Sequence, residues 1–190
     1  MPSVNEQRVL EDLYNLRKIG TYKTGVHRPT LTEDDMRARK WLKDELSKIG
    51  HDAHIDGVAN VIGFSPASGP KLICGSHLAT QNHDGWLDGA LGVVYALEAA
   101  RCLQETGSEF GVDVIAFSDE EGHFGELTGS NSLIGNVTED MLDNAVDRTS
   151  GKKLRNALAD AGLADAPRVT LDPDRYVGMF EAHCASNMPT

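Results

Sequence analysis

The sequence predicts an α/β domain with a mixed, mostly parallel sheet flanked by helices. Three observations predict it. Short apolar runs at 71–76, 112–117 and 176–182 have the length and composition of strands buried in a sheet. Between the first two lies a longer stretch, 89–104, with Leu91, Val94, Tyr95, Leu97 and Leu103 at helical spacing. Strand, helix and strand in alternation argue for a layered fold in which a helix covers the sheet.

Taken in order, residues 6–19 place Val9, Leu10, Leu13, Leu16 and Ile19 on a helical stripe. A loop carrying Gly20, Gly25 and Pro29 follows. Thr32 then precedes Glu33, Asp34 and Asp35, the signature of a capped helix start. That helix buries Met36, Trp41, Leu42, Leu46 and Ile49, and Gly50 closes it. The alternation from His51 to Phe64 reads as one or two strands, and the Pro/Ser/Gly segment 65–70 as a turn. Beyond the strand at 112–117, residues 127–134 read as a turn with a short helix. Thr138 and Thr149 begin two further helical segments, the second ending near Gly162. Asp172-Pro-Asp marks the loop before the last strand.

Composition bounds the function classes. A chain of 190 residues suffices for one domain with a sizeable core. The formal net charge of −11 argues against nucleic acid or an anionic membrane as partner. No apolar run approaches the roughly 20 residues of a membrane span, and residues 1–8 lack the apolar core of a signal peptide. The expected compartment is the cytoplasm. Cys74, Cys102 and Cys184 are odd in number and widely spaced, which is neither a disulfide framework nor a zinc-finger pattern; they read as buried small apolar residues.

The chemistry-bearing residues gather at strand ends. His77 follows the run at 71–76, and Asp88 comes eleven residues later, just before a helix. Glu120 and Glu121 follow the run at 112–117, and His183 follows that at 176–182. In open α/β sheets the carboxyl edge of the strands is where sites form. Imidazoles and carboxylates meeting there suit zinc with coordination positions left open. Asp88 would bridge two ions, His77, Glu121 and His183 would be ligands, and Glu120 would be the general base facing a zinc-bound water. Taken singly, Asp88 also reads as a helix cap and Glu120-Glu121 as a solvated acidic turn. Gln81, Asn82, His83 and His123 lie near enough in sequence to face substrate or support the ligands. His27, His51 and His54 read as surface or packing residues, and Trp86 as packing beside the site.

These motifs resemble the dinuclear zinc amidohydrolases and peptidases related to aminoacylase and glutamate carboxypeptidase. The likeness is strongest to the branch of N-carbamoyl-L-amino-acid hydrolase, β-ureidopropionase and allantoate amidohydrolase. The matching stretches are Gly75-Ser-His77-Leu, Leu87-Asp88-Gly-Ala-Leu-Gly92, Asp119-Glu120-Glu121-Gly and Phe180-Glu-Ala-His183. Thr24-Gly-Val-His-Arg-Pro-Thr30 and Asp35-Met-Arg-Ala-Arg-Lys-Trp41 add to them. The resemblance implies hydrolysis of a linear amide or ureido carbon–nitrogen bond in a small-molecule substrate. It implies two zinc ions per site, with manganese or cobalt as substitutes, and a homodimer.

The sequence departs from that pattern in three places. Ala79 stands where the family has an acidic residue that orients the first histidine, a loss worth ~10–100-fold in metal affinity or activity. Asp84 is the nearby candidate to replace it. The likeness stops after His183, so 1–183 reads as a partial catalytic metal-binding domain and 184–190 as an unrelated tail. The family's lid and dimerisation domain and its final metal-binding histidine have no counterpart. Two readings follow: a zinc amidohydrolase (or a metallopeptidase of the wider family), or a truncated fragment without turnover.

Overall fold

The computed structural model describes residues 2–83 and 85–183. Its elements, in chain order, are α1 (Glu6–Arg17), the short strands β1 (Thr21–Tyr22) and β2 (Gly25–Val26), α2 (Glu33–Lys48), β3 (Asp52–Ile55), β4 (Val61–Phe64), β5 (Lys71–His77), α3 (Ala90–Glu105), β6 (Gly111–Phe117), α4 (Thr128–Leu133), α5 (Glu139–Asn144), α6 (Leu154–Asp160) and β7 (Tyr176–Glu181). Five strands form one mixed sheet in the order β3-β4-β6-β5-β7. β5 runs parallel to both β6 and β7, while β4 runs antiparallel to β3 and β6. Four strands therefore point one way and β4 opposes them. The right-hand half of that order, β6-β5-β7, is the parallel part, and its carboxyl ends share one edge.

The pleat sorts the strands' side chains between two cores. Val61, Cys74, Val112, Val114 and Ala116 face α1, α2 and α3, where they meet Leu13, Leu16, Leu42, Leu46, Val93 and Leu97. Ile62, Ile73, Ile115 and Phe117 face the other way, onto Leu133 of α4 and the segment holding Val169 and Leu171. A third cluster, with Phe124, Leu142, Leu154 and Leu158, joins α5 and α6 to the loop beyond β6.

The caps at Thr32 and Thr138 behave as the sequence predicts. Thr32 Oγ1 accepts from the Asp35 N–H, and Thr138 Oγ1 from the Met141 N–H. Thr149, however, begins no helix: its N–H is taken up by Asp147 Oδ1 in a turn, and α6 starts only at Leu154, after Lys153 and without a side-chain cap. Two stripes need correction. Leu10 and Tyr95 are about half exposed, at 48% and 45%, because helical spacing alone leaves each on the shoulder of its helix rather than under it. The loop expected at 20–29 contains the β1–β2 hairpin, whose two-residue strands are too short for an alternating pattern to register. Cys74 and Cys102 are free and buried; Cys184 and Asp84 lie outside the described residues.

Candidate metal centre

The carboxyl edge of the parallel strands carries the site. His77 is the last residue of β5, and pairs in register with Phe117 at the end of β6, so the Glu120-Glu121 turn begins beside it. β7 lies on the other flank of β5, with Glu181 opposite Gly75, which brings His183 to the same edge. Asp88 ends the loop from β5 into α3. Gly89 at φ +64° follows it, and a Cβ there would lie 2.5 Å from the His77 ring. Only glycine leaves room for the imidazole against the start of α3.

Two groups of side chains converge. His77, Asp88 and His183 form one; His77, Glu120 and Glu121 form the other, each with its donor atoms within 4.8 Å of one another. His77 Nε2 stands 3.3 Å from His183 Nε2 and 3.3 Å from Glu120 Oε2. His183 Nε2 lies 3.6 Å from Asp88 Oδ1. His77 is fully buried, and its tautomer is fixed: Nδ1 lies 2.8 Å from the Ala79 carbonyl, which can only accept. Nδ1 therefore carries the proton, and Nε2 offers its lone pair to the site. The orienting acceptor missing from the side chain at 79 is thus supplied by the backbone of the same residue.

These donors fit a zinc ion. Ligand atoms about 2.0–2.1 Å from a tetrahedral zinc lie about 3.3 Å from each other, the spacing found between His77 Nε2 and His183 Nε2. Asp88 Oδ1 is buried without a hydrogen-bond partner, a costly state for a carboxylate oxygen unless a cation meets it. The capping alternative for Asp88 does not hold, because the start of α3 has no side-chain cap.

The remaining residues named from the sequence are scattered around this centre. Gln81 Nε2 donates to Glu121 Oε2 at 2.6 Å and to the Glu121 carbonyl at 3.1 Å. Asn82 is exposed and donates to Thr149 Oγ1. His83 stacks between Tyr22 and His27, at 4.1 and 4.4 Å between ring centroids, in a recess beside the β1–β2 hairpin. His123 is buried and bonds the Thr80 carbonyl through Nε2. Trp86 stacks on Tyr14 with the Arg17 guanidinium over its ring. His51 is buried on the Val112 carbonyl, and His54 is exposed.

Several polar residues that frame the site lie in the matching stretches, but nothing in their spacing gave them a role. Arg28 is fully buried and donates to the carbonyls of Leu16, Ile19 and Leu78, tying the end of α1 to the residue after His77; burial lowers its pKa to about 10, so it remains a cation at neutral pH. Arg39, ion-paired with Asp35 at 2.8 Å inside the protein, reaches the Ala59 carbonyl. Asp119 accepts from the N–H groups of His123, Phe124 and Gly125 and from the Thr128 hydroxyl, and so winds the turn that presents Glu120 and Glu121. Burial nonetheless pushes its carboxyl above the usual aspartate range, those hydrogen bonds opposing the rise. Beside Glu120 and His183 opens a cavity of about 640 Å³, walled by Ile73, Phe117, Leu127, Leu133 and Ile134.

Comparison with known proteins places this arrangement. The model of peptidase family M28 matches residues 49–147. An N-carbamoyl-L-amino-acid amidohydrolase of Paenarthrobacter aurescens is 31% identical over 83% of this chain and 40% of its own length. An allantoate amidohydrolase of Bacillus subtilis is 32% identical over 73% of this chain and 35% of its own. The crystal structure of an amidase of the hydantoinase/carbamoylase family from Burkholderia phymatum superposes with a TM-score of 0.94 at 46% identity, over 97% of this chain and 46% of that one. The chain spans less than half the length of each of these relatives.

Proposed function

The chain belongs to peptidase family M28, and from that membership we propose that it carries the metal-binding part of an amidohydrolase acting on N-carbamoyl amino acids or allantoate-like ureido compounds. The observation that carries the reading is the convergence of His77 Nε2, His183 Nε2 and Asp88 Oδ1, buried without a hydrogen bond, at the strand edge. Those three residues would hold a zinc ion, and Asp88 with Glu121 would contribute to a second. When bound, zinc supplies Lewis-acid polarisation of the ureido carbonyl and makes a nearby water more acidic.

The protein's own groups divide the remaining work. Glu120, half-buried at the mouth of the cavity, takes the proton from the attacking water at a carboxylate oxygen and returns it to the departing nitrogen. Hydrolysis of a carbamoyl group in this way releases ammonia, carbon dioxide and an amino acid. The Ala79 carbonyl keeps the His77 ring in one tautomer throughout. Phe117, Leu133 and Ile134 exclude water from one side of the reacting group.

A second reading rests on a specific count of donors. With His77 and His183 committed to one ion, the carboxylates of Asp88, Glu120 and Glu121 are the donors left for another among the described residues, fewer than a closed four-ligand site requires. On that reading the chain binds one metal and does not turn over.

Elemental analysis of the purified chain combined with ammonia release from N-carbamoyl amino acids separates the readings. Bound zinc with turnover that falls ~100–10,000-fold in Glu120→Gln, the metal content unchanged, supports the amidohydrolase. Zinc without ammonia supports the fragment. A folded protein holding no metal and releasing no ammonia overturns both.

A further inference from the structure

We propose that Arg148 and Gln81 act in series to aim the Glu121 carboxylate, which makes Arg148, outside the strand edge, a positioning residue for the metal centre. The proposal rests on the reading of Glu121 as a metal ligand.

A guanidinium only donates hydrogen bonds. The Arg148 Nη2 bond to the Gln81 side chain therefore selects the amide oxygen, Oε1, as its acceptor. The other end of the amide, Nε2, is then the end that meets Glu121, donating to its Oε2 at 2.6 Å and to its carbonyl at 3.1 Å. A flipped amide would set two donors against each other at Arg148 and two acceptors against each other at Glu121, so the arginine holds the amide in its useful orientation.

Arg148 is itself held. Its N–H donates to the His123 carbonyl at 2.8 Å. It sits in a turn wound around Asp147, whose Oδ1 accepts from the N–H groups of Thr149 and Ser150 and from the Ser150 hydroxyl. Two further bonds stitch the 80–82 segment to its neighbours: Asn82 to Thr149 Oγ1 at 3.2 Å, and His123 Nε2 to the Thr80 carbonyl at 3.0 Å. The relay thus runs from a braced turn, through an amide that has one stable orientation, to a carboxylate fixed through one oxygen. A ligand immobilised before the ion arrives loses less freedom on binding, and partners of this kind are worth ~10–100-fold in metal affinity.

The test is zinc affinity of the full chain, measured by competition with a chromogenic chelator. It uses wild type, Gln81→Leu, Arg148→Met, Arg148→Lys and Glu121→Gln, with thermal unfolding of each metal-free protein alongside. Glu121→Gln and Gln81→Leu are expected to bind zinc ~10-fold or more weakly. Arg148→Met falls between Gln81→Leu and wild type, and Arg148→Lys, which still donates to Oε1, recovers most of the loss. Gln81 is half-buried and Arg148 exposed, so the metal-free unfolding midpoints stay together. Wild-type affinity in Gln81→Leu beside a weakened Glu121→Gln overturns the relay while keeping Glu121 as ligand. An affinity loss in Arg148→Met matched by a fall in its metal-free midpoint also overturns it. Equal binding by wild type and Glu121→Gln overturns the ligand reading, and the relay with it.

Discussion

The imidazole of His77 shows how much a single residue's surroundings decide. Its ring is confined by Gly89 on one side, where a Cβ would sit 2.5 Å away, and its proton is committed to the Ala79 carbonyl at 2.8 Å. A carbonyl orients an imidazole but polarises it less than a carboxylate, which carries full charge. Ala79→Asp would bring a carboxylate into a position with no exposure to solvent. Zinc affinity is expected to rise ~10-fold, as a carboxylate partner makes the ring a stronger donor. Metal-free stability is expected to fall by about 1–3 kcal/mol, since the new charge is desolvated with no ion to balance it. Chelator competition and chemical unfolding of the metal-free protein read the two effects separately, and a variant with unchanged affinity would show that the carbonyl already does all the orienting the site uses.

Among the elements, α1 and α3 are joined by a polar clamp that no periodicity announces. Glu98 on α3 is 2% exposed and accepts from the Asn5 N–H at 2.8 Å and from Arg8 Nε and Nη2 at 2.7 and 2.9 Å; Arg8 also reaches Glu105. Burial of Glu98 favours its neutral form, but the Arg8 and Asn5 hydrogen bonds outweigh that and hold its carboxyl below the usual glutamate range. The sign follows: this group's stabilisation is complete above the ordinary glutamate pKa and is lost as pH falls through its lowered value. Glu98→Gln should cost about 1–3 kcal/mol near neutral pH, and the gap from wild type should close in acid. Urea unfolding at both pH values checks this; a gap that does not change with pH would exclude Glu98 ionisation as its source. The clamp also marks a limit of sequence reading. The apolar stripes of α1, α2 and α3 and the short runs of β5, β6 and β7 were legible because burial imposes a period on them. Glu98, Arg8, Arg28 and Asn60 are partnered over separations of 50 residues and more, and no local pattern encodes a partner so far away. The site was legible for the same reason in reverse: His77, Asp88, Glu120-Glu121 and His183 each sit just past or before an element whose period is plain. Arg148 lies in a turn between two short helices, where neither period nor motif points to it.

At the scale of the whole molecule, the sheet ends on a strand unlike the others. β7 pairs with β5, and among the described residues nothing pairs with its far side. Val177, Met179 and Phe180 are exposed at 72%, 52% and 61%, and Val177 and Met179 share one cavity wall with Leu127 and Ile134. An unpaired edge with apolar faces is a template for association. The net charge of −11 works the other way, keeping copies apart at low ionic strength. The balance predicts self-association that grows with protein concentration and with added salt, because salt screens the repulsion at a Debye length of ~10 Å in 0.1 M and leaves the apolar contact intact. Met179→Lys and Val177→Lys place a charge on that strand and should return the protein to monomer under the same conditions. Sedimentation velocity at two salt concentrations measures it. Association that weakens with salt would make the contact electrostatic, and association that persists unchanged in both variants would place it away from the β7 edge.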